Sequence, residues 1–140
     1  MDRAIHSRGI LAGAIAVVTA ILLDGSPRPA VAHEGVNLAG TWSGGGRVTF
    51  STGNSERARC RATFHRQTPR TFGMNALCAT PSARASQVAQ LQQVSANSFE
   101  GRFYNREYDV SGTIRVSVSG KRLTALLRGG GASASLSLSR

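Results

Sequence analysis

Two cysteines, Cys60 and Cys78, lie in one stretch, Arg57 to Thr80, and constrain the fold more than any other feature of the chain. Read by parity, Ala58, Cys60, Ala62 and Phe64 fall on one side of this segment. Arg57, Arg59, Arg61, Thr63 and His65 fall on the other. That period-2 alternation is the pattern of a strand with one buried and one wet face. A second arm, Thr71 to Thr80, puts Phe72, Met74, Ala76 and Cys78 on a common face. Between the arms, Gln67-Thr68-Pro69-Arg70 reads as a turn, because proline presets a turn dihedral and cannot donate to a ladder. In an antiparallel pair the numbers of opposed residues have a constant sum. If Cys60 faces Cys78 that sum is 138, so Ala62 faces Ala76 and Phe64 faces Met74. Each apolar residue then meets an apolar partner, and a one-residue slip would turn one arm inside out. The register predicts a Cys60–Cys78 disulfide.

A disulfide implies an oxidising compartment, and the N-terminus supplies the route. Arg3 and Arg8 form a basic leader region and Gly9 to Leu23 an apolar run too short for a typical membrane span. Asp24 to Ala32 is polar and ends in Ala30-Val31-Ala32, an A-x-A cleavage signal. The expectation is a signal peptide over 1–32, cleavage before His33, and a protein of the periplasm or the medium. The mature chain then has 108 of the 140 residues and no transmembrane span. It divides into a mobile N-terminal arm, 33–37, and one domain, 38–140.

The rest of the mature chain reads as strands. Leu38 to Phe50 alternates, with Leu38, Gly40, Trp42, Val48 and Phe50 on one parity, and is interrupted by Gly44-Gly45-Gly46. Glycines inside a strand mark a bend or a close backbone approach. Ala83 to Ser95 is ambiguous. Val88, Leu91 and Val94 are spaced as on a helix, but the Ala96-Asn97 turn into Phe99 favours a strand. Phe99, Gly101 and Phe103 share a face, and Tyr108 to Ser119 sets Val110, Gly112, Ile114, Val116 and Val118 against polar residues. A type II′ turn at Gly120-Lys121 gives a sum of 241, pairing Val118 with Leu123 and Ile114 with Leu127. A turn at Gly129-Gly130 gives 259, pairing Leu127 with Ala132 and Leu123 with Leu136. The fold class is therefore all-β: an eight-stranded antiparallel up-and-down barrel, with a small β-sandwich as the alternative. Gly101, Gly112, Ala125, Ala132 and Ala134 are small for inward positions. They leave a cavity, let the strands bend, or make room for Trp42 and Phe50.

The sequence argues against catalysis. The mature chain carries two histidines, His33 and His65, and five carboxylates, and it has no G-x-S-x-G, H-E-x-x-H, C-x-x-C or P-loop pattern. Neither a nucleophile–base–orienter set, a metal-ligand set nor a cofactor motif can be assembled, so the expectation is a non-enzymatic protein without metal or cofactor. Fourteen basic against five acidic residues give the mature chain a charge of +9, almost all of it arginine. Arg57, Arg59 and Arg61 point outward together, and Arg47 on the preceding strand shares that face. Guanidinium groups so placed bind phosphate or carboxylate bidentately. The candidate partners are lipopolysaccharide or another anionic polymer. No specific nucleic-acid partner is expected, because exposed aromatic stacking platforms are lacking.

Leu38-Ala39-Gly40-Thr41-Trp42 resembles the Gly-x-Trp opening of lipocalin-like barrels, which implies that Gly40 and Trp42 form the barrel floor. With Cys60, Leu77-Cys78-Ala79 and the ending Leu136 to Arg140, the chain also resembles small exported bacterial barrels related to periplasmic metalloprotease inhibitors and their outer-membrane relatives. That resemblance implies a protease partner engaged by the arm His33, Glu34, Gly35, Val36 and Asn37. The mature chain also looks like uncharacterised small exported proteins of alphaproteobacteria, which implies no particular activity. Three function classes follow: an exported module binding an anionic partner through its basic outer face, a metalloprotease inhibitor, and a small-ligand carrier.

Overall fold

The computed structural model describes residues 35–140, together with Gly25 and Pro27. The leader and its cleavage site, and His33 and Glu34 of the arm, lie outside the described residues. The domain is a closed barrel of eight antiparallel strands. They are β1 (Gly40–Thr49), β2 (Ser55–Thr68), β3 (Thr71–Ala79), β4 (Arg84–Ser95), β5 (Ser98–Asn105), β6 (Val110–Ser119), β7 (Arg122–Gly129) and β8 (Ala132–Ser139). Each strand pairs with the next, and β1 closes on β8 through Ser43–Ser139 to Thr49–Ser133. Closure removes both edges of the sheet.

The cysteine hairpin has the predicted register, with Cys60 opposite Cys78, Ala62 opposite Ala76 and Phe64 opposite Met74, and the disulfide is formed. The β6–β7 pairing also matches, with Val118 opposite Leu123 and Ile114 opposite Leu127. The β7–β8 pairing does not. Leu127 meets Ala134 and Leu123 meets Leu138, two residues away from the expected partners. The turn residues are Gly130 and Gly131, both at positive φ (60° and 75°), which is the requirement of a type I′ hairpin. A shift of two preserves the inward face, so Leu123, Ala125 and Leu127 are buried as expected. The Ala83 to Ser95 segment is a strand, and its period of three was misleading: Leu91 is buried, whereas Val88 and Val94 lie on the outer face.

Inward side chains are graded along the barrel axis. At one end, the floor, Leu38, Trp42, Phe72, Phe99, Val118 and Leu123 are fully buried. The Phe72 and Phe99 rings meet edge-on at 5.2 Å, a favoured aromatic geometry. Trp42 donates its Nε1–H to the Leu38 carbonyl at 2.9 Å, so its one polar atom is satisfied in the core. Towards the other end, the mouth, the inward positions become Val48, Ala85, Val110, Ala132 and Ala134. The glycine run of β1 lies between the two ends, flanked by β2 and β8. A methyl group at Gly44 or Gly46 would collide with the Ser137 or Ser135 carbonyl of β8, so only glycine permits the close β1–β8 approach that shuts the barrel.

Outward positions carry mainly Arg, Ser, Thr and Gln. A membrane-spanning barrel has the opposite arrangement, an apolar band outside and a polar lumen. Among the described residues no helix is long and apolar enough to cross a membrane. Among the described residues the one ion pair is Arg115–Glu100 on this outer face, at 2.8 Å and well exposed. Exposed pairs contribute little. Arg115→Ala is therefore expected to change the unfolding free energy by no more than about 0.5 kcal/mol in a urea titration.

Candidate functional site: the barrel mouth and the basic outer face

The mouth is framed by four connections: residues 50–54, 80–83, 106–109 and the Gly130-Gly131 turn. Hydrogen bonds to carboxylates hold it in shape. Glu56, at the start of β2, accepts from the Ser82 hydroxyl at 2.8 Å, which ties β2 to the β3–β4 connection. Hydrogen bonds from the Thr80 and Ser82 side chains hold the Glu56 carboxyl below its ordinary range. Glu107 accepts the Ser86 backbone N–H at 3.0 Å and is held low chiefly by backbone hydrogen bonds. The Tyr104 hydroxyl donates to Asp109 at 3.1 Å, which pushes its pKa up.

Below these connections the small inward residues leave a cavity of ≈ 460 Å³. Such a volume lies in the usual range for small-molecule sites, which are largely apolar with a few placed polar groups. Val48, Phe103, Val110, Leu127 and Ala134 supply apolar wall, and Cys78 of the disulfide also faces the space. Two amides interrupt this lining. Gln87 and Asn105 are register partners on β4 and β5, and both line the cavity. Asn105 is the one buried polar residue among those described. Its Oδ1 accepts the Tyr108 backbone N–H at 3.2 Å. Among the described residues its Nδ2 donates no hydrogen bond and is not buried without a partner. Sequence reasoning missed Gln87, Asn105 and Tyr108. The continuation of the Phe99-Gly101-Phe103 parity to Asn105 was the available signal for the second of them.

Trp42, which the Gly-x-Trp resemblance singled out, is fully buried at the end opposite the mouth. Gly40 begins β1 at the floor end but is exposed, with φ at 123°, where the chain turns from beneath the barrel into its wall. The expected arm is attached in its described part. The Val36 N–H donates to the Ala96 carbonyl at 3.0 Å, and Val36 packs against the core. The Arg140 guanidinium donates to the Asn37 and Ala39 carbonyls at 2.9 and 2.8 Å.

The four arginines singled out by parity lie together. Arg47 is the register partner of Arg57, and Arg59 sits between Gly45 and Ala79, two small neighbours that leave its surroundings open. A shallow depression on the outer wall is lined by Arg47, Arg57, Arg59, Arg61 and also Arg84. Parity could not bring in Arg84, which reaches the group only because β4 pairs with β3 at Ala79–Arg84. None of these five makes an ion pair with a carboxylate among the described residues. Among the described residues there is also no cluster of three or more metal-ligating side chains.

No protein-family model and no curated protein matches the chain. Solved structures do match in fold. A redesigned β-barrel, mFAP1, bound to DFHBI is 13% identical with a TM-score of 0.63, over 74% of this chain and 94% of that one. The redesigned barrel mFAP0, also bound to DFHBI, is 14% identical with a TM-score of 0.62, over 74% and 98%. A fluorescence-activating β-barrel designed de novo is 14% identical with a TM-score of 0.57, over 73% and 92%. At these identities the likeness extends to the small eight-stranded barrel fold alone.

Proposed function

We propose that this protein is an exported, non-enzymatic binding barrel that holds a small apolar molecule in its mouth. The observation that carries this reading is the asymmetry of the interior: Trp42, Phe72, Phe99, Leu38 and Leu123 are fully buried at the floor, while at the mouth Ala85, Ala132 and Ala134 stand among Val48, Phe103 and Leu127 and leave ≈ 460 Å³. An empty apolar cavity weakens a fold, because its lining loses packing contacts. A ligand that restores those contacts binds with the corresponding gain. The Gln87–Asn105 pair favours a guest with one hydrogen-bond acceptor, a carbonyl or hydroxyl, at one side of an otherwise apolar body. The dye carried by the similar redesigned barrels is a support from analogy, since it is held by barrels of similar fold.

The test uses a neutral probe, so that the arginines play no part. N-phenyl-1-naphthylamine is expected to bind saturably, with enhanced fluorescence. Ala134 lies between Val48 and Leu127 in the barrel wall. Ala134→Trp fills the space and is expected to weaken probe binding more than about 30-fold, equivalent to about 2 kcal/mol. Non-saturable binding, or affinity unchanged in Ala134→Trp, contradicts the reading.

A second reading is favoured by the five arginines without carboxylate partners: the outer face takes an anionic partner, such as lipopolysaccharide or an acidic polymer. Inhibition of a metalloprotease through residues 33–37 has less support, because Val36 and Asn37 are tied to the floor by hydrogen bonds.

A further inference from the structure

We infer that the outer face of β3–β5, together with the adjoining arginines, docks the barrel onto an anionic lipid surface. The inference rests on the second reading above, that the basic face takes an anionic partner, and adds the identity of that partner. Leu77, Val88 and Tyr104 are outward-facing and 55%, 46% and 39% exposed. Val88 is the register partner of Tyr104. Leu77 lies on the strand beside Val88, two positions along from Val88's partner Asn75. The three make a diagonal apolar stripe across three strands.

Arginines border the stripe on both sides. Arg61 is the register partner of Leu77, and Arg59 and Arg84 flank Ala79 on the next outward rung. On the far side Arg102, the partner of Gln90, stands two positions from Tyr104. Two carboxylates also stand at the mouth end of the stripe, Glu107 on the Ser86 N–H and Asp109 on the Tyr104 hydroxyl, against the four arginines Arg59, Arg61, Arg84 and Arg102. Single exposed apolar residues need no account, but a contiguous stripe bounded by cations does. A soluble polyanion would contact the arginines and leave the stripe in water. A lipid surface engages both, since phosphates meet the guanidinium groups while the leucine, valine and tyrosine enter the interfacial layer. Each arginine near an anionic leaflet contributes about fivefold in affinity.

The experiment is vesicle flotation of the purified, oxidised protein with phosphatidylcholine alone and with phosphatidylcholine mixed with phosphatidylglycerol. Dextran sulfate binding is measured in parallel. The protein is expected to float with the anionic vesicles only. The triple variant Arg59→Ser, Arg61→Ser, Arg84→Ser is expected to lose about 100-fold in vesicle affinity. Leu77→Ser with Val88→Ser is expected to lose about tenfold on vesicles and nothing on dextran sulfate. All these positions face outward, and unchanged melting temperatures verify that the variants are folded. Binding to dextran sulfate without binding to anionic vesicles overturns the lipid inference and leaves the anionic-partner reading intact. Binding to neither overturns both. Vesicle binding that is indifferent to the Leu77 and Val88 changes overturns the inference as well.

Discussion

Trp42→Ala is expected to lower the unfolding free energy by about 3–5 kcal/mol. Three consequences combine at this position. The indole is fully buried, so its removal opens a void in the tightly packed floor. The Leu38 carbonyl loses the Nε1–H that satisfies it. The Arg140 guanidinium, which stands 4.3 Å over the ring, loses its platform, and the same guanidinium holds the 37–39 segment beneath the barrel. Domains of this size are stable by only about 5–15 kcal/mol, so the loss is a large fraction of the whole. It corresponds to a fall in Tm of roughly 15–30 °C. Trp42 is the only tryptophan, so unfolding of the variant is followed by far-ultraviolet circular dichroism rather than fluorescence. A cost below about 1 kcal/mol would mean that the floor is not packed as described.

The second large effect is expected from the disulfide. Reduction of Cys60–Cys78, or its replacement by Cys60→Ala with Cys78→Ala, should cost about 2–4 kcal/mol. The bond joins β2 to β3 across a sequence separation of 18 residues. By the chain-entropy account the closed loop restricts the unfolded chain, so its removal enlarges the unfolded ensemble. Equal urea midpoints for the oxidised and reduced protein would contradict the expectation. Alanine is the appropriate replacement, because Cys60 is buried and a serine hydroxyl there would need a partner.

Much of the barrel was legible in the sequence, for a local reason. The β6–β7 register follows from the tight Gly120-Lys121 connection flanked by strict alternation, and the β2–β3 register from setting Cys60 opposite Cys78, since the turn at Pro69 itself carries a register shift between Arg66 and Thr68. Where alternation and turn chemistry agree, register is determined. The β7–β8 register was displaced by two because Gly129, Gly130 and Gly131 admit more than one two-residue turn, and parity cannot distinguish turns that differ by one step on each side. β4 was ambiguous because its inward positions are Ala85, Gln87, Ala89 and Leu91, too weakly apolar to outweigh the outward Val88 and Val94.

The sites were legible in proportion to their locality. Arg57, Arg59 and Arg61 share one strand and Arg47 its neighbour, so parity brought them together. Arg84 needed the β3–β4 pairing. The mouth cavity needed nearly everything: its lining comes from residues as distant as Val48 and Ala134, which meet only because β1 closes on β8. Of the small inward residues named from the sequence, Ala132 and Ala134 line the cavity, whereas a methyl group at Gly101 or Gly112 would collide with the backbone of the neighbouring strand.

The most direct test of the binding reading is a methyl-resolved NMR titration of the oxidised protein with N-phenyl-1-naphthylamine. Three groups of methyls report separately: Val48, Val110, Leu127 and Ala134 at the mouth, Leu38, Val118 and Leu123 at the floor, and Leu77, Val88 and Leu126 outside. The account predicts saturable shifts in the mouth group, with the floor and outer groups unmoved. Shifts confined to the outer group, or no saturable shift in the mouth group, would contradict it.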